Sequence, residues 1–103
     1  MENITSQELE NLKANNIKIL VDFWGSWCQP CKILLPILES IESDYPNIKF
    51  VKVDIDENKG YITSLGIRSI PAVLLYNGLS LVTVTIGVKS EKYYRESLQL
   101  LNE

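Results

Sequence analysis

The chain has 103 residues, 46% apolar and 22% charged, with a formal net charge of −3 and no histidine. Such usage is that of an ordinary soluble domain of the commonest size, able to bury roughly 60–70% of its unfolded surface, so a single domain over residues 1–103 is expected. It excludes a spanning helix of about 18 apolar residues, argues against a nucleic-acid interface because no basic stripe is present, and rules out a Cys–His nucleophile.

The opening MENITSQELENLK is acidic and amide-rich, unlike a secretory leader, and reads as cytosolic. Thr5 followed by Glu8 is a capping-box pattern, and Leu9 and Leu12 behind it predict a short helix ending near Ala14-Asn15-Asn16. Ile17 to Trp24, IKILVDFW, is apolar at both parities, which suits a central strand covered on both faces. From Cys28 to about Asp44, Leu34, Ile37, Leu38, Ile41 and Tyr45 recur at helical spacing, with Pro36 inside the run. Ile48 to Asp56 predicts another strand, and Gly60 to Gly66 a short helix or turn. Pro71 to Tyr76 and Ser80 to Ile86 flank Asn77-Gly78, a strong hairpin signal. The second hairpin strand alternates Val82, Val84 and Ile86 with Thr83 and Thr85, which predicts one wetter face and a place near the sheet edge. Ser90 opens a last helix lined by Tyr94, Leu98 and Leu101. The order is that of an α/β fold with a mixed sheet and helices on both faces.

The only cysteines, Cys28 and Cys31, stand in WCQPCK. A structural zinc site takes four ligands, so two thiols and no imidazole supply half of one. A structural staple across so short a loop removes little chain entropy. The reactive reading carries more weight. Unsatisfied amides at the start of a helix near Cys28 favour a thiolate, lowering a cysteine from its free value of about 8.5. Cys28 is then the nucleophile and Cys31, one turn inward and less exposed, the resolving thiol; Pro30 sits in the first turn, where no amide hydrogen is needed. Asp22 interrupts the doubly apolar strand, where burial should raise its pKa, and Lys52 on the next strand shares the parity of Ile48 and Phe50. These suggest that Asp22, tuned by Lys52, exchanges a proton with Cys31, the bland alternative being a carboxylate wetted by a cleft.

VDFWGSWCQPCK, Lys52 in KVDID, Ile70-Pro71 in GIRSIP, the Asn77-Gly78 turn and Gly87 together resemble the thioredoxin family over essentially the whole chain. The resemblance implies a thioredoxin fold with a mixed sheet of four to five strands, and a cytoplasmic, monomeric dithiol reductase of protein disulfides. It implies no bound cofactor, with recharging by thioredoxin reductase, an NADPH-linked flavoprotein. It further implies a cis Ile70–Pro71 bond facing the cysteines, and a substrate surface made by Trp24, Trp27, Ile70, Pro71 and Gly87 together with Gln29 and Pro30 of the active-site turn. Two departures stand out. Gln29 replaces the glycine of the usual WCGPC, which leaves the redox potential open, and the first strand is reduced to Glu2 to Ile4 at most. A thiol oxidase or isomerase, or a non-catalytic binding subunit on the same fold, are the rival functions.

Overall fold

A strand apolar at both parities needs cover on both faces, and the fold supplies it. The computed structural model describes residues 1–102; Glu103, the last residue of the expected domain, lies outside the described residues. In chain order the elements are β1 (Glu2–Asn3), α1 (Ser6–Ala14), β2 (Lys18–Trp24), α2 (Gln29–Glu42), β3 (Lys49–Asp54), α3 (Tyr61–Ser64), β4 (Ala72–Asn77), β5 (Ser80–Ile86), α4 (Glu91–Leu98) and a closing 3₁₀ turn (Gln99–Leu101). The five strands run in the order β1-β3-β2-β4-β5, so β2 is central. β1 and β2 pair parallel with β3, while β4 runs antiparallel to both β2 and β5.

Local chemistry sets most of the boundaries. Thr5 accepts from the Glu8 amide while the Glu8 carboxylate accepts from the Thr5 amide, closing the capping box of α1. Ser90 caps α4 by accepting from the Tyr93 amide. β1, whose existence the sequence leaves open, does form, with Glu2 and Asn3 in register with Val51 and Lys52.

Pleating sends Ile19, Val21 and Phe23 of β2 to one face, where they pack with Val51, Val53 and Leu74 beneath α1 and α3. Leu20 points to the other face and packs with Phe50, Val73, Leu34, Leu38, Tyr94 and Leu98 under α2 and α4. Asp22 and Trp24 follow Leu20 at the same parity.

Two expectations need correction. The hairpin pairs Asn77 with Ser80, so its two central residues are Gly78 and Leu79, not Asn77 and Gly78. Gly78 has φ 60° and Leu79 is not in the left-handed region, which is the II′ arrangement with glycine first; a turn centred on Asn77-Gly78 would have needed positive φ at both. β5 does lie at the edge, but its wetter face is the aliphatic one. Val84 and Ile86 are 44% and 43% exposed whereas Thr85 is 4% exposed. The reason is coverage: Thr85 pairs with Val73, whose face lies under α2 and α4, whereas Val84 and Ile86 sit opposite Leu74 and Ala72, on the face whose helices pack over the inner strands.

Candidate functional site

The site lies where β2 ends and α2 begins. Gly25 to Cys28 is a turn closed by the Cys28 amide on the Gly25 carbonyl at 3.0 Å. Glycine at position 25 leaves room for the Trp27 ring, since a Cβ there would fall 2.9 Å from it and make the exposed indole shift. Cys28 is the N-cap of α2, and the Cys31 amide donates to its Sγ at 3.2 Å. An orphan first-turn amide is thus satisfied by sulfur rather than by a hydroxyl, and the positive end of the helix faces that atom. Pro30 stands in the first turn of α2, as its sequence position suggests.

Cys28 and Cys31 are joined as a disulfide. Both residues are 4% exposed, so the expected difference in exposure between them is not seen in this oxidised form.

Beside Cys31 is a partly open cavity of about 110 Å³ lined by Asp22, Trp24, Cys31, Leu35 and Lys52, among others. Asp22 is 1% exposed and its Oδ1 has no hydrogen-bond partner among the described residues. Burial pushes its carboxyl up to about 7, with the ammonium of Lys52 pulling the other way. Lys52 is the direct parallel neighbour of Asp22 on β3, and its Nζ lies 4.8 Å from the centroid of the Trp24 ring. Asp22 and Cys31 thus line one cavity, large enough by volume for water, although its lining is mostly apolar.

Around the disulfide, Trp27 is 63% exposed and donates its indole N–H to Asp56 Oδ2 at 2.8 Å. Gln29 and Pro30 are exposed at the head of α2. The Ile70–Pro71 bond is cis, and the Gly87 amide, at φ 86°, donates to the Pro71 carbonyl at 2.8 Å. Trp24 lies half-buried on the inner cavity, its indole N–H donated to Asn3 Oδ1 at 3.1 Å. The sequence-derived residues thus fall into an inner group of Asp22, Trp24, Cys31 and Lys52 that shares the cavity, and an outer group in which Trp27, Gln29 and Pro30 adjoin Cys28 in the chain, Ile70 shares a groove with Trp27, and Gly87 is bonded to Pro71.

Sequence reasoning did not single out Asp56, Asn3 or Tyr94 for this region. The Tyr94 hydroxyl accepts from the Lys89 amide at 3.2 Å and donates to the Gly87 carbonyl at 3.3 Å, tying down the loop next to Pro71. A tyrosine where leucine would fill a helix face equally well is the one signal that could have found it.

The thioredoxin family profile matches residues 2–99. A thioredoxin of Buchnera aphidicola from Acyrthosiphon pisum is 41% identical over 97 residues, covering 92% of this chain and 90% of that protein. A thioredoxin of Mycoplasmoides gallisepticum is 38% identical over 100 residues, covering 96% of this chain and 100% of its own length. Among solved structures, a chain from work on the thiol-resolving mechanism in yeast mitochondrial 1-Cys peroxiredoxin via glutathione/thioredoxin systems superposes with a TM-score of 0.85 at 27% identity, covering 96% of this chain and 93% of that one.

Proposed function

Since the chain belongs to the thioredoxin family and is a thiol–disulfide oxidoreductase, we propose that it reduces protein disulfides by cycling Cys28 and Cys31 between dithiol and disulfide. The hydrogen bond from the Cys31 amide to Cys28 Sγ at the start of α2 carries the reading, because an amide aimed at that sulfur from the helix end supports Cys28 as the thiolate of the reduced form.

In the reduced protein the Cys28 thiolate attacks one sulfur of a substrate disulfide. That S–S bond breaks, the departing substrate sulfur takes a proton, and a mixed disulfide joins Cys28 to the substrate. Cys31 then gives up its proton and attacks Cys28 Sγ, the second substrate thiol leaves, and two electrons have passed to the substrate. Asp22 is the acceptor of the Cys31 proton through the shared cavity; a carboxyl near 7 is matched to that task at neutral pH, and Lys52 keeps it from rising further. Trp27, Gln29, Pro30, Ile70, Pro71 and Gly87 receive the substrate chain, which can pair with the extended backbone beside Pro71; Trp24 borders the inner cavity. An NADPH-linked flavoprotein reductase returns the pair to the dithiol.

Insulin-disulfide reduction tests this. Cys28→Ser is expected to abolish turnover, and Cys31→Ser to accumulate a protein–substrate mixed disulfide; turnover that survives Cys28→Ser would end the proposal. A couple potential near the roughly −270 mV typical of thioredoxins supports the reducing direction, and one near about −120 to −180 mV would assign an oxidase or isomerase instead.

A further inference from the structure

Beside the disulfide, the surface opens into a groove of about 580 Å³ whose apolar lining comes from Trp27, Ile55, Ile62, Ile67 and Ile70. It is continuous with the site, since Trp27 precedes Cys28 and Ile70 precedes the cis Pro71. Its volume would admit more than one side chain of a bound segment. Among the described residues, Arg68 is the only charged one on its lining.

The state of that arginine is unlike that of the other arginine in the chain. Arg95 is held by Asp44 at 2.9 Å and by Glu91 at 3.0 Å. Arg68 is exposed and, among the described residues, has no ion pair. The carboxylate that reaches Trp27, Asp56, accepts the indole N–H and does not neutralise Arg68. A guanidinium is a fork of donors fitted to a carboxylate. Against the net charge of −3 of the whole protein, an unpaired cation on this groove offers an acidic segment a local attraction that the overall charge does not.

We propose that Arg68 is a specificity-determining residue: the groove binds an extended segment of the substrate that places an apolar side chain against Trp27 and Ile70 and a carboxylate on Arg68. The inference rests on the reductase reading above and names the class of segment that reading leaves open.

Symmetric peptide disulfides serve as the probe, in sets of three that carry Glu, Gln or Lys at one position flanking the cysteine and are otherwise identical, with one set for each flanking position. Each accepts two electrons from the Cys28–Cys31 dithiol and yields two peptide thiols. The quantity read is the ratio of kcat/KM for the Glu and Lys peptides within one protein, compared between proteins, so that the peptides' own thiol reactivity cancels. At one or more flanking positions the wild type is expected to favour Glu about three- to fivefold after this correction, the range of an exposed charge pair, and to lose the preference in about 1 M salt. Arg68→Glu is expected to invert the preference and Arg68→Lys to retain most of it. A ratio identical in wild type and Arg68→Glu at every position, with all peptides turned over, overturns this inference and leaves the reductase reading standing. Failure of the reduced wild type to turn over any of the peptides overturns both.

Discussion

The two faces of β2 are built from the same strand and do opposite things. Ile19, Val21 and Phe23 point to an apolar and aromatic layer closed by α1 and α3, where the buried charge, Lys13 of α1, lies over the Tyr76 ring and is paired with Glu10. One residue out of phase, Leu20, Asp22 and Trp24 point toward α2, and there the apolar layer is interrupted by a carboxyl that is 1% exposed, a half-buried lysine and a cavity. A closed apolar layer contributes stability in proportion to the area removed from water. A buried carboxylate with an unpartnered oxygen costs stability whenever it ionises. One strand thus holds the fold together on one side and keeps a destabilising, reactive group in place on the other.

Neighbouring residues should therefore move stability in opposite directions. Phe23 is fully buried in the closed layer, and Phe23→Ala is expected to lower unfolding free energy by about 3–5 kcal/mol, equally at pH 5 and pH 8. Urea unfolding of the oxidised protein measures it, and a loss below about 1 kcal/mol would show that the layer repacks around the gap.

Asp22→Asn should do the reverse, and only above a certain pH. The carboxyl sits near 7 in the folded protein against an ordinary value of 3.8. Below about pH 4 folded and unfolded chains both carry the proton, and the carboxyl makes no difference. As pH rises toward 7 the unfolded chain releases its proton while the folded chain holds on, so wild-type stability falls; above 7 the full cost is present. The neutral asparagine escapes this. Its gain over wild type is expected to grow from about pH 4 and level off above about pH 7, reaching at most about 4 kcal/mol. The same variant should slow release of the mixed disulfide between about pH 6 and 9, where the proton acceptor is missing. A stability gain independent of pH would place the carboxyl in solvent and erase the contrast between the faces.

What could be read from the sequence follows the same division. Signals carried by adjacent residues were legible: the Thr5–Glu8 box, the doubly apolar IKILVDFW, the helix start near Cys28 and the anomaly of Asp22 in an apolar strand all appear in the structure where the pattern puts them. Features set by how far a helix reaches were not. Alternation in β5 identified an edge strand, but which face α4 covers depends on packing, so threonine went inside and valine outside. The hairpin moved by one residue because Leu79 tolerates the second position of a II′ turn and pairing of Asn77 with Ser80 extends the ladder. Arg68 and Asp56 carry no local mark at all, since their meaning lies in what stands across a groove.

Tyr94 belongs to both regimes and gives the finest test of the comparison. Its ring is packed in the α2–α4 layer with Leu20 and Phe50, while its hydroxyl, pushed up in pKa by burial, reaches the loop that carries Gly87. Tyr94→Phe keeps the ring and removes two hydrogen bonds, at an expected cost of about 1–2 kcal/mol in stability. A residue that only filled the core would show nothing more. If the hydroxyl holds the Gly87 loop against Pro71, the Lys89 amide should exchange with solvent at least about tenfold faster, since its partner is gone. KM for a protein disulfide should rise about three- to fivefold with kcat little altered, the signature of weakened substrate binding rather than impaired chemistry. Unchanged exchange at Lys89 together with an unchanged KM would assign the tyrosine to the core alone, and would confine the reactive side of β2 to the inner cavity.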